Sequence, residues 1–171
     1  MKKETKKEIF TYIIILVVVI LIKSYVVTPI RVNGTSMSST LENGEIMILN
    51  ETKYYFNDVK RFDIVVVKQG KSKLIKRVIG LPGDTLKFEN NILYINGEIV
   101  EEPYLREETL DFSLAKFNYD NDVIPDKCYF VMGDNRDDSL DSRYFGCIEK
   151  KDILGSAKLV VYPFNKIGTV N

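Results

Sequence analysis

Apolar positions follow two different rhythms along the chain. Residues 9–22 carry no charge, behind a polar opening that holds Lys2, Lys3, Lys6 and Lys7. Lys23 interrupts, Tyr25-Val26-Val27 continues, and residues 9–27 make one greasy stretch with a single lysine near its end. A bilayer span needs about 20 predominantly apolar residues, and a lysine close to the end can carry its charge out to the interface. A cleaved leader needs a small-x-small site, which Lys23-Ser24-Tyr25-Val26-Val27-Thr28-Pro29 does not offer. The stretch is therefore expected to be an uncleaved single-pass anchor. Four lysines before it, against Lys23 and Arg31 after it, place residues 1–8 on the cytoplasmic side and residues 28–171 outside the membrane.

From residue 28 on the period changes to two, the repeat of strands. Ile30-Arg31-Val32-Asn33 reads as a short strand and Glu42-Asn43-Gly44-Glu45 as a hairpin-like turn. Ile46-Met47-Ile48-Leu49 follows as a buried strand. Residues 61–67 end in an unbroken apolar run and read as a central strand, and Gln69-Gly70-Lys71-Ser72 turns the chain. Residues 74–80 then place Lys76 between Leu74 and Val78 on one face, and Arg77 between Ile75 and Ile79 on the other. Pro82-Gly83-Asp84 ends that strand. Residues 85–100 alternate around Asn90-Asn91 and Asn96-Gly97, the pattern of a small meander. Residues 101–122 are acidic and irregular and read as an exposed loop or subdomain without a functional role. Residues 128–132 form an apolar strand leading into a polar loop, 133–146, bracketed by Gly133 and Gly146, and residues 153–162 close the fold. The expected class is mainly β behind one N-terminal helix.

Composition narrows the chemistry. The chain has 171 residues, with 24 basic and 24 acidic side chains and zero net charge, which argues against nucleic acid as a partner. It contains no histidine, and its two cysteines, Cys128 and Cys147, make no C-x-x-C pair. A zinc site is not expected, nor any other metal or cofactor. The cysteines fit either one disulfide of an extracytoplasmic domain or two buried thiols. Ser36 stands where a strand gives way to a Gly/Ser/Thr turn, a place that presents a hydroxyl but also the usual place for a turn-forming serine. Without histidine its base would be a lysine or a carboxylate, and serine–lysine pairs are a known arrangement. The lysine has to be neutral to take the serine proton, and burial among apolar groups lowers its pKa. Lys76 is the lysine set among aliphatics, and Ser139 in the polar loop is a hydroxyl that can aim its amine.

Three stretches together resemble the motifs of type I signal peptidases in their single-span Gram-positive form. Ser36-Met37 resembles the nucleophile box, residues 76–84 the general-base box, and Gly133-Asp134-Asn135-Arg136 with Ser139, Asp141, Ser142, Arg143 and Gly146 the third box. The resemblance implies an antiparallel β catalytic domain over residues 28–171, with a smaller β region inserted within 85–125. It implies Ser36 as the acylated nucleophile, Lys76 as general base, Ser139 orienting the amine, and Asp141 with Arg143 as an ion pair beside the site. Ile30, Val32, Met37, Leu41, Leu74 and Ile75 match positions that line substrate pockets for small side chains. The partners implied are signal peptides of exported preproteins and the lipid bilayer, and the chain is expected to act as a monomer. Two positions depart from the family pattern: Ser39 where proline is common, and Gly34 where some members carry a serine that helps hold the oxyanion. A processing peptidase dedicated to a few surface or pilin-like substrates, or a non-catalytic anchored scaffold, are the alternative readings.

Overall fold

The computed structural model describes residues 3–26, 28–106, 108–117 and 119–170, with the side chains of 3–6, 21–26 and 120 not among those described. Helix α1 spans Lys3–Val26. Its described apolar side chains, Ile9 to Ile20, are exposed. Among the described residues no helix is long and apolar enough to cross a membrane. The expected anchor also runs through the side chains of 21–26 and through Val27, and the expected tail through Met1 and Lys2; all of these lie outside the described ones.

The chain then runs through β1 (Thr28–Arg31), β2 (Ile46–Asn50), the single turn α2 (Lys53–Phe56), β3 (Ile64–Gln69) and β4 (Ser72–Gly80). The smaller strands β5 (Leu86–Glu89), β6 (Ile92–Ile95), β7 (Glu98–Val100) and β8 (Phe112–Ser113) follow. The last part holds β9 (Cys128–Met132), the single turn α3 (Ser142–Phe145), β10 (Ile148–Glu149), β11 (Ile153–Tyr162) and β12 (Gly168–Thr169). Among the described residues the larger sheet runs β1-β2-β11-β3-β4-β9-β10 with β12 added on β11, and the smaller runs β7-β6-β5-β8. Among the described residues every strand pairing is antiparallel. The fold is mainly antiparallel β, with the small sheet inserted between β4 and β9.

The unbroken apolar run of β3 has its reason here. Ile64 to Val67 are buried, flanked by β11 on one side and β4 on the other. Its face with Val65 and Val67 packs with Val78, Val131 and Ile153, and its other face, Ile64 and Val66, packs with Met37, Leu41 and Met47. Met37, within the turn that begins at Ser36, and Leu41, just after it, are thus sunk in the core. Each buried side chain of that size contributes about 2 kcal/mol, which nails the turn down.

Two expectations change, and one alternative left open by the sequence is decided. Arg61, Phe62 and Asp63 are a turn and not the start of β3. Phe62 takes φ +67° and Asp63 N–H donates to the Lys60 carbonyl, which bends the chain out of the strand although Phe62 N–H and Asp63 C=O still bond with Val78 of β4; the Asp63 carboxylate fixes the turn by accepting from Lys60 N–H, Tyr54 O–H and Lys53 Nζ. Residues 101–122 are not a merely exposed loop: Thr109 and Leu114 are buried, and β8 extends the small sheet. The two cysteines form a disulfide, Cys128–Cys147, with Cα atoms 5.6 Å apart. It closes the polar loop at its base, beside the β9–β10 pairing.

Candidate active site

The site begins with a turn. Gly34 has φ +92°, a left-handed conformation that glycine adopts without steric cost. Its N–H donates to Asn43 Oδ1. The chain then winds into a helical turn in which Ser38 N–H donates to Thr35 C=O and Leu41 N–H to Met37 C=O. Ser36, at the start of that turn, is half-buried. Among the described residues no acceptor is found for its own N–H.

Strand β4 brings the lysine. Lys76 stands opposite Val65 of β3, between Leu74 and Val78 along its own strand, and is 2% exposed. Its Nζ lies 2.7 Å from Ser36 Oγ and 3.1 Å from Ser139 Oγ. Burial pushes the Lys76 amine down from its ordinary 10.5 to about 8. The Asp141 carboxylate opposes that, the Arg143 guanidinium adds to it, and Asp134 and Asp138 again oppose it. A free lysine is almost wholly charged at neutral pH; a lysine near 8 has a substantial neutral fraction and can accept the Ser36 proton.

The polar loop supplies the frame. Gly133 packs so closely against the Ser36 carbonyl and the Ser139 side chain that a methyl group there would overlap both. Asn135 N–H donates to the Ser36 carbonyl at 3.1 Å. The side chains of Thr35 and Asp138 hydrogen-bond to each other, as do Asn135 and Ser38. Asp141 and Arg143 form a two-pronged pair, Nε to Oδ1 at 2.9 Å and Nη2 to Oδ2 at 3.0 Å. The second Asp141 oxygen also accepts from Gly133 N–H, and Arg143 Nη2 donates to the Arg136 carbonyl.

A second buried pair escaped the sequence reading. Arg77, the neighbour of Lys76, grips Asp134 with Nε and Nη2 at 2.9 and 2.7 Å, and both side chains are shut off from solvent. Thr40 Oγ1 donates to Asp134 at 2.5 Å and accepts from Arg77. These bonds join the Ser36 turn, the Lys76 strand and the polar loop into one body. Tyr104 lies with its ring 3.8 Å from the Arg77 guanidinium carbon, and Glu102 pairs with Arg136. The signal for Arg77 was present, since a cation at a strand position between two aliphatics needs a buried partner. Nothing local marked Glu102 or Tyr104.

Of the expected pocket residues, Val32, Met37, Leu74 and Ile75 line a shallow cavity of about 70 Å³ together with Ser36, Gly34 and Lys73. Leu41 is fully buried in the core below, and Ile30 packs against that core from β1. Beside the cavity, residues 72–76 of β4 pair with β3 on one edge only, because β9 pairs with β4 from Arg77 onward.

The sequence profile of the family described as "Signal peptidase, peptidase S26" matches residues 5–162. The chain belongs to this family. Signal peptidase I S of Bacillus subtilis (strain 168) is 42% identical over 165 residues, covering 93% of this chain and 90% of its own length. Signal peptidase I of Bacillus caldolyticus is 38% identical, covering 96% of each chain. A crystal structure of a signal peptidase I from Enterococcus faecalis V583 superposes with a TM-score of 0.54 at 36% identity, covering 58% of this chain and 97% of that one. The chain is thus an enzyme of the signal peptidase I kind, a serine endopeptidase, with the mainly antiparallel β catalytic fold that the resemblance implied.

Proposed function

We propose that this enzyme is a membrane-anchored signal peptidase that cuts signal peptides from exported preproteins with a Ser36–Lys76 dyad. The observation that carries the reading is the 2.7 Å contact between Lys76 Nζ and Ser36 Oγ in a chain without histidine. Neutral Lys76 takes the Ser36 proton as Oγ forms a bond to the scissile carbonyl carbon. The carbonyl oxygen, now an oxyanion, is stabilised by the Ser36 N–H. Lys76 then delivers the proton to the leaving amide nitrogen as the C–N bond breaks, which leaves the signal peptide as an ester on Ser36. A water gives its proton to Lys76, attacks the ester carbon, and Oγ leaves with that proton. Ser139 holds the amine in line, and the Asp141–Arg143 pair holds the loop that carries Ser139.

The substrate adds as a strand along the open edge of residues 72–76, with small side chains entering the cavity lined by Val32, Met37, Leu74 and Ile75; Ile30 and Leu41 act from the core cluster that holds Val32 and Met37 in place. Residues 9–27 anchor the enzyme: the uncharged part of α1 with Lys23 near its end, residues 9–26, rises about 27 Å at 1.5 Å per residue, close to the ~30 Å hydrocarbon layer. Residues 1–8 are cytoplasmic, residues 28–171 form the extracytoplasmic catalytic domain with its inserted region at 85–125, and the protein works as a monomer at the bilayer surface.

The test is cleavage of a preprotein with an Ala-x-Ala site in lipid vesicles, with the cut located by mass spectrometry. The wild type cuts after the second alanine, and folded Ser36→Ala and Lys76→Ala variants do not. Cleavage by either variant at the wild-type rate would refute the dyad.

A further inference from the structure

The acidic segment between β7 and β8 reaches into the frame of the site at two points. Tyr104 places its ring 3.8 Å from the Arg77 guanidinium carbon and donates its O–H to Glu102 Oε1 at 2.6 Å. Burial holds that phenol protonated far above neutral pH. Glu102 in turn takes both ends of the Arg136 guanidinium, at 2.6 and 3.2 Å, in a pair almost closed to solvent. Arg136 uses its remaining donors on the Gly133 carbonyl and Thr109 Oγ1, and its own carbonyl accepts from Arg143. Two relays therefore leave this segment. One runs from Tyr104 through Arg77 to Asp134 and Thr40 at the nucleophile turn. The other runs from Glu102 through Arg136 to Gly133 and Arg143, on either side of Ser139.

We propose that Tyr104 and Glu102 are positioning residues of the reaction, by which the small inserted sheet holds the polar loop in the shape that aims Lys76 at Ser36. The proposal rests on the Ser36–Lys76 reading. Neither residue lines the cavity beside Ser36, so substrate binding does not depend on them directly. Their effect is on alignment, where displacing a catalytic group by about 1 Å can cost a hundredfold in rate. It is also on charge. The charged groups acting on Lys76 are Asp134, Asp138, Asp141 and Arg143 of the loop, with Arg77 beside it on β4. Glu102 neutralises Arg136 in that same loop. Without the carboxylate the loop carries one more uncompensated buried cation, which disfavours protonated Lys76.

The experiment compares Tyr104→Leu, Tyr104→Phe and Glu102→Gln with the wild type and with Lys76→Ala, using the full chain in vesicles and rates normalised to the folded fraction from circular dichroism. Tyr104→Leu lowers kcat by about ten- to a hundredfold with KM within about twofold, and Tyr104→Phe, which keeps the ring over Arg77, recovers most of that loss. Glu102→Gln moves the acid limb of the pH–rate profile to lower pH. Wild-type kcat in Tyr104→Leu together with an unmoved limb in Glu102→Gln would make both residues purely structural and overturn the proposal. Lys76→Ala separates the two levels. If it loses cleavage while the other variants match the wild type, only this proposal falls; if it cleaves with the wild-type limb, the dyad falls and the proposal with it.

Discussion

Replacing Lys76 by methionine tests whether a buried amine is kept at the expense of stability. At about 1.4 kcal/mol per tenfold change in acidity, the fall from 10.5 to about 8 corresponds to roughly 3 kcal/mol. Below pH 8 the lysine is protonated in both the folded and unfolded chains, and the folded state carries the whole burden. Between about 8 and 10.5 the unfolded chain holds the proton that the folded chain has lost, so stability rises with pH across that window. Methionine fills the space of the stem and removes the burden, but forfeits the contacts to Ser36 and Ser139, each worth about 1 kcal/mol. Lys76→Met is therefore expected to be inactive yet more stable than the wild type by about 1 kcal/mol at pH 7, and less stable by about 2 kcal/mol at pH 10.5. Urea unfolding of the full chain in detergent, followed by circular dichroism at both pH values, measures the difference. Other groups that titrate in this range cancel between the two proteins. A difference of the same size and sign at both pH values would refute the reasoning, because Lys76 would then not be a cation shifted by burial.

Three further outcomes follow from the same geometry. Gly133→Ala forces a methyl against the Ser36 carbonyl and Ser139, so preprotein cleavage should fall at least about a hundredfold while the fold, followed by circular dichroism, survives. Opening the disulfide by Cys128→Ser with Cys147→Ser releases a 19-residue separation and should lower unfolding stability by about 3 kcal/mol, read by urea titration. Ser39 Oγ is buried without a partner among the described residues, so Ser39→Ala should raise stability by about 1 kcal/mol with cleavage unchanged; a loss of stability would mean that the hydroxyl is satisfied.

The parts that could be read from the chain are those in which neighbours in sequence are neighbours in space. The Asn90-Asn91 and Asn96-Gly97 turns put positive φ at all four residues and deliver β5, β6 and β7 as a meander. The apolar run of β3 reads as central because both its faces are covered. The nucleophile turn and its lysine are different. Nothing within ten residues of Ser36 or Lys76 says that they meet; the three boxes and their order supplied that, and their separation of 40 positions is bridged by the fold. Glu102 and Tyr104 were invisible because the cations they serve lie 34 residues ahead and 27 residues behind in the sequence. Local acidity marks such a segment as solvated, whereas in the fold the Glu102 side chain is buried against Arg136 of the polar loop. The Cys128–Cys147 bond stayed open for a related reason: two cysteines permit a bridge, and only the pairing of β9 with β10 brings them within reach.

The proposed chemistry turns on neutral Lys76 taking the proton from Ser36. The most direct measurement is kcat/KM for preprotein cleavage from pH 5 to 10 by the wild type. Among the groups at the site, Lys76 is the one placed near 8, and the chain has no histidine to mimic it. With neutral Lys76 as the base, the rate climbs about tenfold per pH unit below 8 and levels off above it. A profile already flat from pH 6, or one that levels off near pH 4 to 5 as a carboxylate base would require, would contradict it.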